Sequence, residues 1–234
     1  MENKVEKKEN IYPKKEDNAV VLDYLSLGYI KKDMSTFKGK PIAQAIGTER
    51  FTLLELTPKP EVDLEIHDKV YIGPGKRDKI NRVQGKLDFE NLTATSRIEI
   101  DYAIKEIIED QEEKYVNFFN TVGPLSTRLH KLELIPGIGK KHMWALIEAR
   151  KEKPFESFED IKTRVPLLSN PVGMLANRVK QELDTTTVRR GKKKYHLFTP
   201  IPRKPDSDDK KGKKNYRNNR NNRNNKNNRN KRRN

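Results

Sequence analysis

The sequence predicts an α+β fold: a small, curled β-barrel, then a helical domain, between disordered termini. Three observations carry this prediction. Short strand-like runs punctuated by turn residues fill the chain to about residue 92. Helical periodicity takes over from 93 to 184. Beyond 184 the apolar residues thin out into an Asn/Arg low-complexity tail.

Residues 1–17 are polar with mixed charge and read as a disordered arm. The β domain spans 18–92. It opens on Ala19-Val20-Val21-Leu22, a short strand or helix that runs to a turn at Gly28. Ile42–Gly47 and Phe51–Leu56 read as two arms of a hairpin around the polar turn Thr48-Glu49-Arg50, ended by Thr57-Pro58-Lys59-Pro60. Lys69–Gly73 and Lys79–Lys86 are two further strands, joined by the turn Pro74-Gly75-Lys76-Arg77-Asp78.

The helical domain spans 93–184. One helix is expected from Ser96 to about Phe119, a break at Thr121–Pro124, and a second helix from Leu125 to Leu134. After the tight turn Pro136–Gly139 a helix runs from Lys140 to Lys151. A short helix to Arg164 follows, with Ser157 as its N-cap and Asp160 three residues on. Pro166–Pro171 connects to a last helix, Val172–Leu183. The tail, 185–234, is basic, and Tyr195–Phe198 is its one apolar island able to dock.

The net charge of +16 on 234 residues suggests a polyanionic partner, but its placement matters more than its size. Nineteen of the fifty basic residues, and only three of the thirty-four acidic ones, lie in 185–234; the first 184 residues hold 31 of each. The body is therefore neutral and the tail is a polycation, with Arg217, Arg220 and Arg223 in a period-three basic pattern. With no cysteine, disulfides and zinc-thiolate sites are excluded. The four histidines show no metal-ligand spacing, so neither metal nor small-molecule cofactor is expected. No apolar run is long enough for a membrane span and no secretory leader is evident, which gives a cytoplasmic expectation.

The most informative motif is Leu134-Ile135-Pro136-Gly137-Ile138-Gly139-Lys140-Lys141. Two glycines around one apolar residue let the backbone turn sharply, and Ile138 can anchor the turn from within. The amides opening the next helix then face outward, where they and the helix dipole suit a phosphate. Lys140 and Lys141 add charge there. Such contacts position a nucleic acid without reading its sequence. The string resembles a helix-hairpin-helix motif, with Met143 where a small residue is usual. Phe155–Leu183 reads as its degenerate partner, which buries the first hairpin. On the β domain, Lys76, Arg77 and Arg82 are candidate phosphate contacts. Tyr71, Phe51 and Phe89 are candidate stacking rings, although aromatics in strands are more often core. Trp144 reads as core.

Tyr24–Tyr29, Tyr71-Ile72-Gly73, the 134–141 hairpin with His142-Met143-Trp144, and Phe155–Ile161 together resemble an archaeal family, domain of unknown function 655 (DUF655). The resemblance covers about 18–184. It implies an OB-like barrel joined to a helix-hairpin-helix domain. It also implies a nucleic-acid partner, RNA rather than DNA, with the ribosome as the expected setting. Three other readings compete: a DNA-binding repair accessory, a scaffold that docks proteins on the acidic helix Glu106–Glu113, and a glycosylase or lyase using Lys141 and Asp160. Asp160 lies in a helix-start context, which disfavours the enzyme reading.

Overall fold

A computed structural model describes residues 15–28, 39–184 and 195–201. Five antiparallel strands form one curled sheet: β1 (Asn18–Leu25), β2 (Ile42–Gly47), β3 (Leu53–Pro58), β4 (Lys69–Tyr71) and β5 (Ile80–Lys86), in the order β4-β1-β2-β3-β5. The hairpin expected around Thr48–Arg50 is present, with Ile46 opposite Leu53 and Ala43 opposite Leu56. The sheet is a half-barrel, since its edge strands β4 and β5 do not pair with each other.

Ala19, Val20, Val21 and Leu22 are all fully buried, because β1 is covered on both faces. Ala19 and Val21 point into the barrel interior with Ala43, Ala45, Leu56, Leu64 and Ile80. Val20 and Leu22 join Ile46 and Leu53 on the outer face, where the helices pack. A bulge at Leu22 shifts the register of β1 on β2. Next to it, buried Gln44 accepts the Thr93 N–H (2.9 Å) and donates to Asn91 O (3.1 Å). Asp23 takes the Thr93 hydroxyl at 2.7 Å. These bonds fix the start of the first helix on the sheet.

That helix, α1 (Ala94–Asp110), lays Ile100, Ala103, Ile104, Ile107 and Ile108 on the sheet. The long helix expected to Phe119 is in fact two: α2 (Glu112–Thr121) follows after a kink at Gln111, whose φ/ψ of −110°/36° leaves the helical region. The Gln111 amide bonds Thr48 O (3.0 Å), so the β2–β3 turn holds the kink.

The helix expected over Leu125–Leu134 is absent. Two short strands, β6 (Pro124–Ser126) and β7 (Leu129–His130), lead into a 3-10 turn at Lys131–Leu134. Proline opens the segment, and the Ser126 hydroxyl accepts the Arg128 N–H (3.4 Å), so local turn chemistry prevails over apolar spacing. The remaining helices fall where expected: α3 (Lys140–Glu152), α4 (Phe158–Arg164) and α5 (Pro171–Leu183). Ser157 caps α4 through the Asp160 N–H, and Asn170 caps α5 through Gly173.

The body reaches past both expected limits. Glu16, assigned to the arm, accepts the backbone N–H groups of Glu49 (2.8 Å), Arg50 (3.2 Å) and Thr52 (3.0 Å), and so locks the β2–β3 turn. The apolar island of the tail docks in the core: Phe198 is buried against Tyr115 and Phe118. Its backbone is captured by Glu182, which is 3% exposed. That carboxylate accepts the N–H groups of Leu197 (2.7 Å), Phe198 (3.0 Å) and Thr199 (2.9 Å), the Thr199 hydroxyl, and Arg178 Nε (2.8 Å).

Removing Glu182 leaves Arg178 buried without its counter-charge and three amides without acceptors. Glu182→Ala is expected to cost about 3–5 kcal/mol of stability. Urea unfolding measures this, and a loss below about 1 kcal/mol would show that the strap is only loosely held.

Candidate nucleic-acid interface

Ile135, Pro136, Gly137 and Ile138 form a β-turn closed by the Ile138 N–H on Ile135 O (3.0 Å). Gly137 has φ +89°, the left-handed conformation that the third residue of such a turn requires. Ile135 and Ile138 are 1% and 3% exposed, so both anchor the turn from beneath. From α5, the Met174 methyl lies 3.2 Å from where a Gly137 Cβ would stand, and Arg178 donates to Leu134 O (3.1 Å). Helix α5, within the segment read from sequence as a degenerate partner, thus packs against the turn.

Gly139 differs from Gly137. Its φ/ψ of −86°/−178° suits any residue, and a Cβ there would meet nothing within 4 Å. It stands at the N-cap of α3 but has no side chain to cap with. The first bond of the helix is the Met143 N–H on Gly139 O (2.9 Å). Among the described residues, the N–H groups of Lys140, Lys141 and His142 therefore meet no acceptor. Helices α1, α4 and α5 each carry a side-chain cap, and α2 opens on Glu112 and Glu113. Helix α3 has no acid in its first turn and opens on two exposed lysines. Cations at the positive end of a helix dipole are each unfavourable by about 0.3–1 kcal/mol, so the free protein is electrostatically unbalanced here.

Upstream, His130 caps the 3-10 turn: its Nδ1 accepts the Leu132 N–H (3.1 Å), and Glu133 returns a bond to the His130 N–H (2.8 Å). Burial, then the Arg150 charge, lowers the His130 pKa below its ordinary 6.5. Arg150 itself holds Phe119 O (2.7 Å) and Val122 O (2.9 Å), tying α3 to the end of α2.

Trp144 is not in the core; it is 56% exposed. The buried positions of α3 are Met143 and Leu146, and Trp144 falls on the opposite side with Lys140, Lys141 and Glu148. Its burial could not be read from sequence, because the helix after the turn could be placed but the face it turns inward could not. Phe51 is fully buried and Phe89 partly, so neither is a free stacking ring. Tyr71 is 36% exposed, but its hydroxyl accepts the Gly75 N–H (3.2 Å) and its ring lies over its own turn.

The β-domain cations do not converge. Arg77 turns back onto Gly73 O (3.0 Å), Lys79 pairs with Asp68 (2.8 Å), Arg82 faces solvent opposite Thr57, and Lys76 is exposed. They sit on β5 and the turn before it, a different element from the start of α3. Arg217, Arg220 and Arg223 lie outside the described residues.

Three of the five acids of the scaffold reading are used internally, while Glu109 and Glu113 are exposed. Glu106 and Asp110 hold Lys69 at 3.0 and 2.5 Å, and Glu112 accepts the Phe158 N–H at 2.6 Å. Asp160 bonds the Glu156 N–H (3.1 Å) and Arg164 (3.2 Å) at the start of α4. Among the described residues no cluster of three ligating side chains could hold a metal, and no helix is long and apolar enough to cross a membrane.

A half-barrel sheet carrying a helical layer, with a clamped turn feeding an uncapped helix, defines the class of α+β protein to which this chain conforms. Residues 15–200 match the model of the family described as "Protein of unknown function (DUF655)", and the chain belongs to that family. It is 45% identical over 191 residues to an uncharacterised protein of Methanocaldococcus jannaschii, covering 82% of this chain and 83% of that one. The crystal structure of Af1531 from Archaeoglobus fulgidus, matched to the same family, superposes with a TM-score of 0.71 at 41% identity, over 79% of this chain and all of that one.

The His130 cap has a pH signature. A histidine whose folded pKa is depressed contributes stability that is present above the unfolded pKa and lost as pH falls through the folded one. Thermal stability should therefore fall as pH drops below 6.5. His130→Asn, whose amide oxygen accepts at any pH, should flatten that fall; parallel pH profiles for the two proteins would exclude His130 as its source.

Proposed function

We propose that this chain is a non-enzymatic nucleic-acid-binding protein that holds backbone phosphates at the start of α3. RNA is the favoured partner, in the setting of ribosomal RNA or translation. The supporting observation is the uncapped N-terminus of α3 with Lys140 and Lys141 in its first turn. The free protein gains nothing from that arrangement, whereas a bound phosphate resolves it: three outward amides, the helix dipole and two ammonium groups all favour an anion there. Conflicts between local rules and the observed sequence are expected at functional sites. The basic segment after residue 201 adds sequence-independent, salt-sensitive affinity and keeps a bound strand near the body. The RNA preference rests on the family resemblance, and competition against DNA of matched length tests it directly.

Gly139→Asp separates fold from function. The position has N-cap geometry and open space around a Cβ, so the aspartate caps α3 with its own carboxylate and competes with phosphate. The variant should be more stable by about 0.5–1 kcal/mol. In full-length protein, where the tail is unchanged, it should bind RNA at least about tenfold more weakly. Lys140→Ala with Lys141→Ala should lose a similar factor and flatten the salt dependence. Unchanged binding in both variants would leave the tail as the sole contact and the hairpin as scaffolding.

A further inference from the structure

Trp144 sits in α3 one turn beyond Lys140 and Lys141, so all three side chains share one helix face. At 56% exposure it leaves a large apolar ring in water, on a face where the fold requires no apolar residue. Three aromatic side chains are exposed among the described residues, Trp144, Tyr71 and Tyr102, and the other two each have a neighbour at the ring. Tyr71 covers its own turn, and Tyr102 has the Lys105 ammonium 6.0 Å from its ring centroid. Trp144 makes no ring, cation or hydrogen-bond contact among the described residues.

The charges around it identify the occupant. On the N-terminal side are two ammonium groups and three free amides; toward the C-terminal end are exposed Glu148 and, one turn beyond it, exposed Lys151. A ligand resting on Trp144 therefore has an anion toward Lys140 and Lys141 and a flat, uncharged π-face over the indole. One helical turn, about 5.4 Å, separates the two subsites. That separation is of the order of the distance from a nucleotide's phosphate to its own base. We propose that Trp144 is a stacking platform for an unpaired base of single-stranded nucleic acid whose phosphate lies on the α3 N-terminus. This rests on the phosphate reading above and deepens it. In a duplex the base faces are already stacked on their neighbours, so the platform selects single strands or loops.

The test exploits the fact that the chain has one tryptophan. Full-length protein is titrated with a dye-labelled, unstructured oligouridylate, with an abasic strand of equal length, and with a duplex of equal length. Anisotropy reports binding and indole fluorescence reports stacking. At equal occupancy the oligouridylate should quench Trp144, while the abasic strand and the duplex should not. Trp144→Ala should weaken oligouridylate binding about five- to hundredfold and leave the abasic strand unaffected, with Trp144→Phe recovering part of the loss. Equal quenching by all three probes, no quenching at all, or no effect of Trp144→Ala would overturn the platform. In that case the phosphate reading still stands if Lys140→Ala with Lys141→Ala weakens both single strands. It fails separately if that double variant weakens neither.

Discussion

The buried carboxylate of Glu182 joins parts of this protein that are far apart in sequence. It neutralises Arg178 within α5, and Arg178 in turn grips Leu134 O at the mouth of the hairpin turn and also the carbonyl of Tyr195. On its other side the same carboxylate gathers the amides of residues 197–199, which places Phe198 against Tyr115 and Phe118. One ion pair thus closes the core over the helices and sets the position of the turn. A charged pair this deeply buried is stable only because nearly every acceptor site is used. It also extends the folded body beyond Asp184, so a chain cut there would lose the donors that Glu182 requires.

Against this rigid frame the start of α3 is unresolved chemistry. Gly137 is there because the turn requires a positive φ, and a Cβ would also press on the Met174 methyl. Neither reason applies to Gly139, whose backbone is ordinary and whose surroundings are open. Read together with two lysines at the positive end of the dipole, an absent side chain there keeps the amides accessible to a ligand. The cost in helix stability is small and local, and the clamp from α5 carries it.

The β2–β3 hairpin, the two later strands of the sheet, the last three helices and the cap at Ser157 were legible, because alternation, turn residues and capping chemistry are local signals, whereas the Asn170 cap of α5 was read only as part of a connector. The helix expected over 125–134 was not, because its apolar spacing also fits two short strands and a 3-10 turn, and only the Pro124 and Ser126 turn chemistry separates the two. The hairpin glycines could be found by motif, but their division of labour needed coordinates. Trp144 was misplaced because a large aromatic near a turn is usually core, and the inward face of a helix follows from tertiary packing. Glu16 and Glu182 were invisible as structural residues: each acts through backbone amides distant in sequence, and acids carry no mark of such a role.

The most direct test of the account is to follow backbone amide resonances of the full-length protein during titration with a short single-stranded RNA. If the start of α3 is a phosphate site, the amides of Gly139–His142 should shift at least as strongly as those of the basic tail, and the Trp144 indole N–H should move with them. If only tail resonances respond while Gly139–Trp144 stay fixed, the hairpin is structural, and the body of this protein must act through something other than nucleic acid.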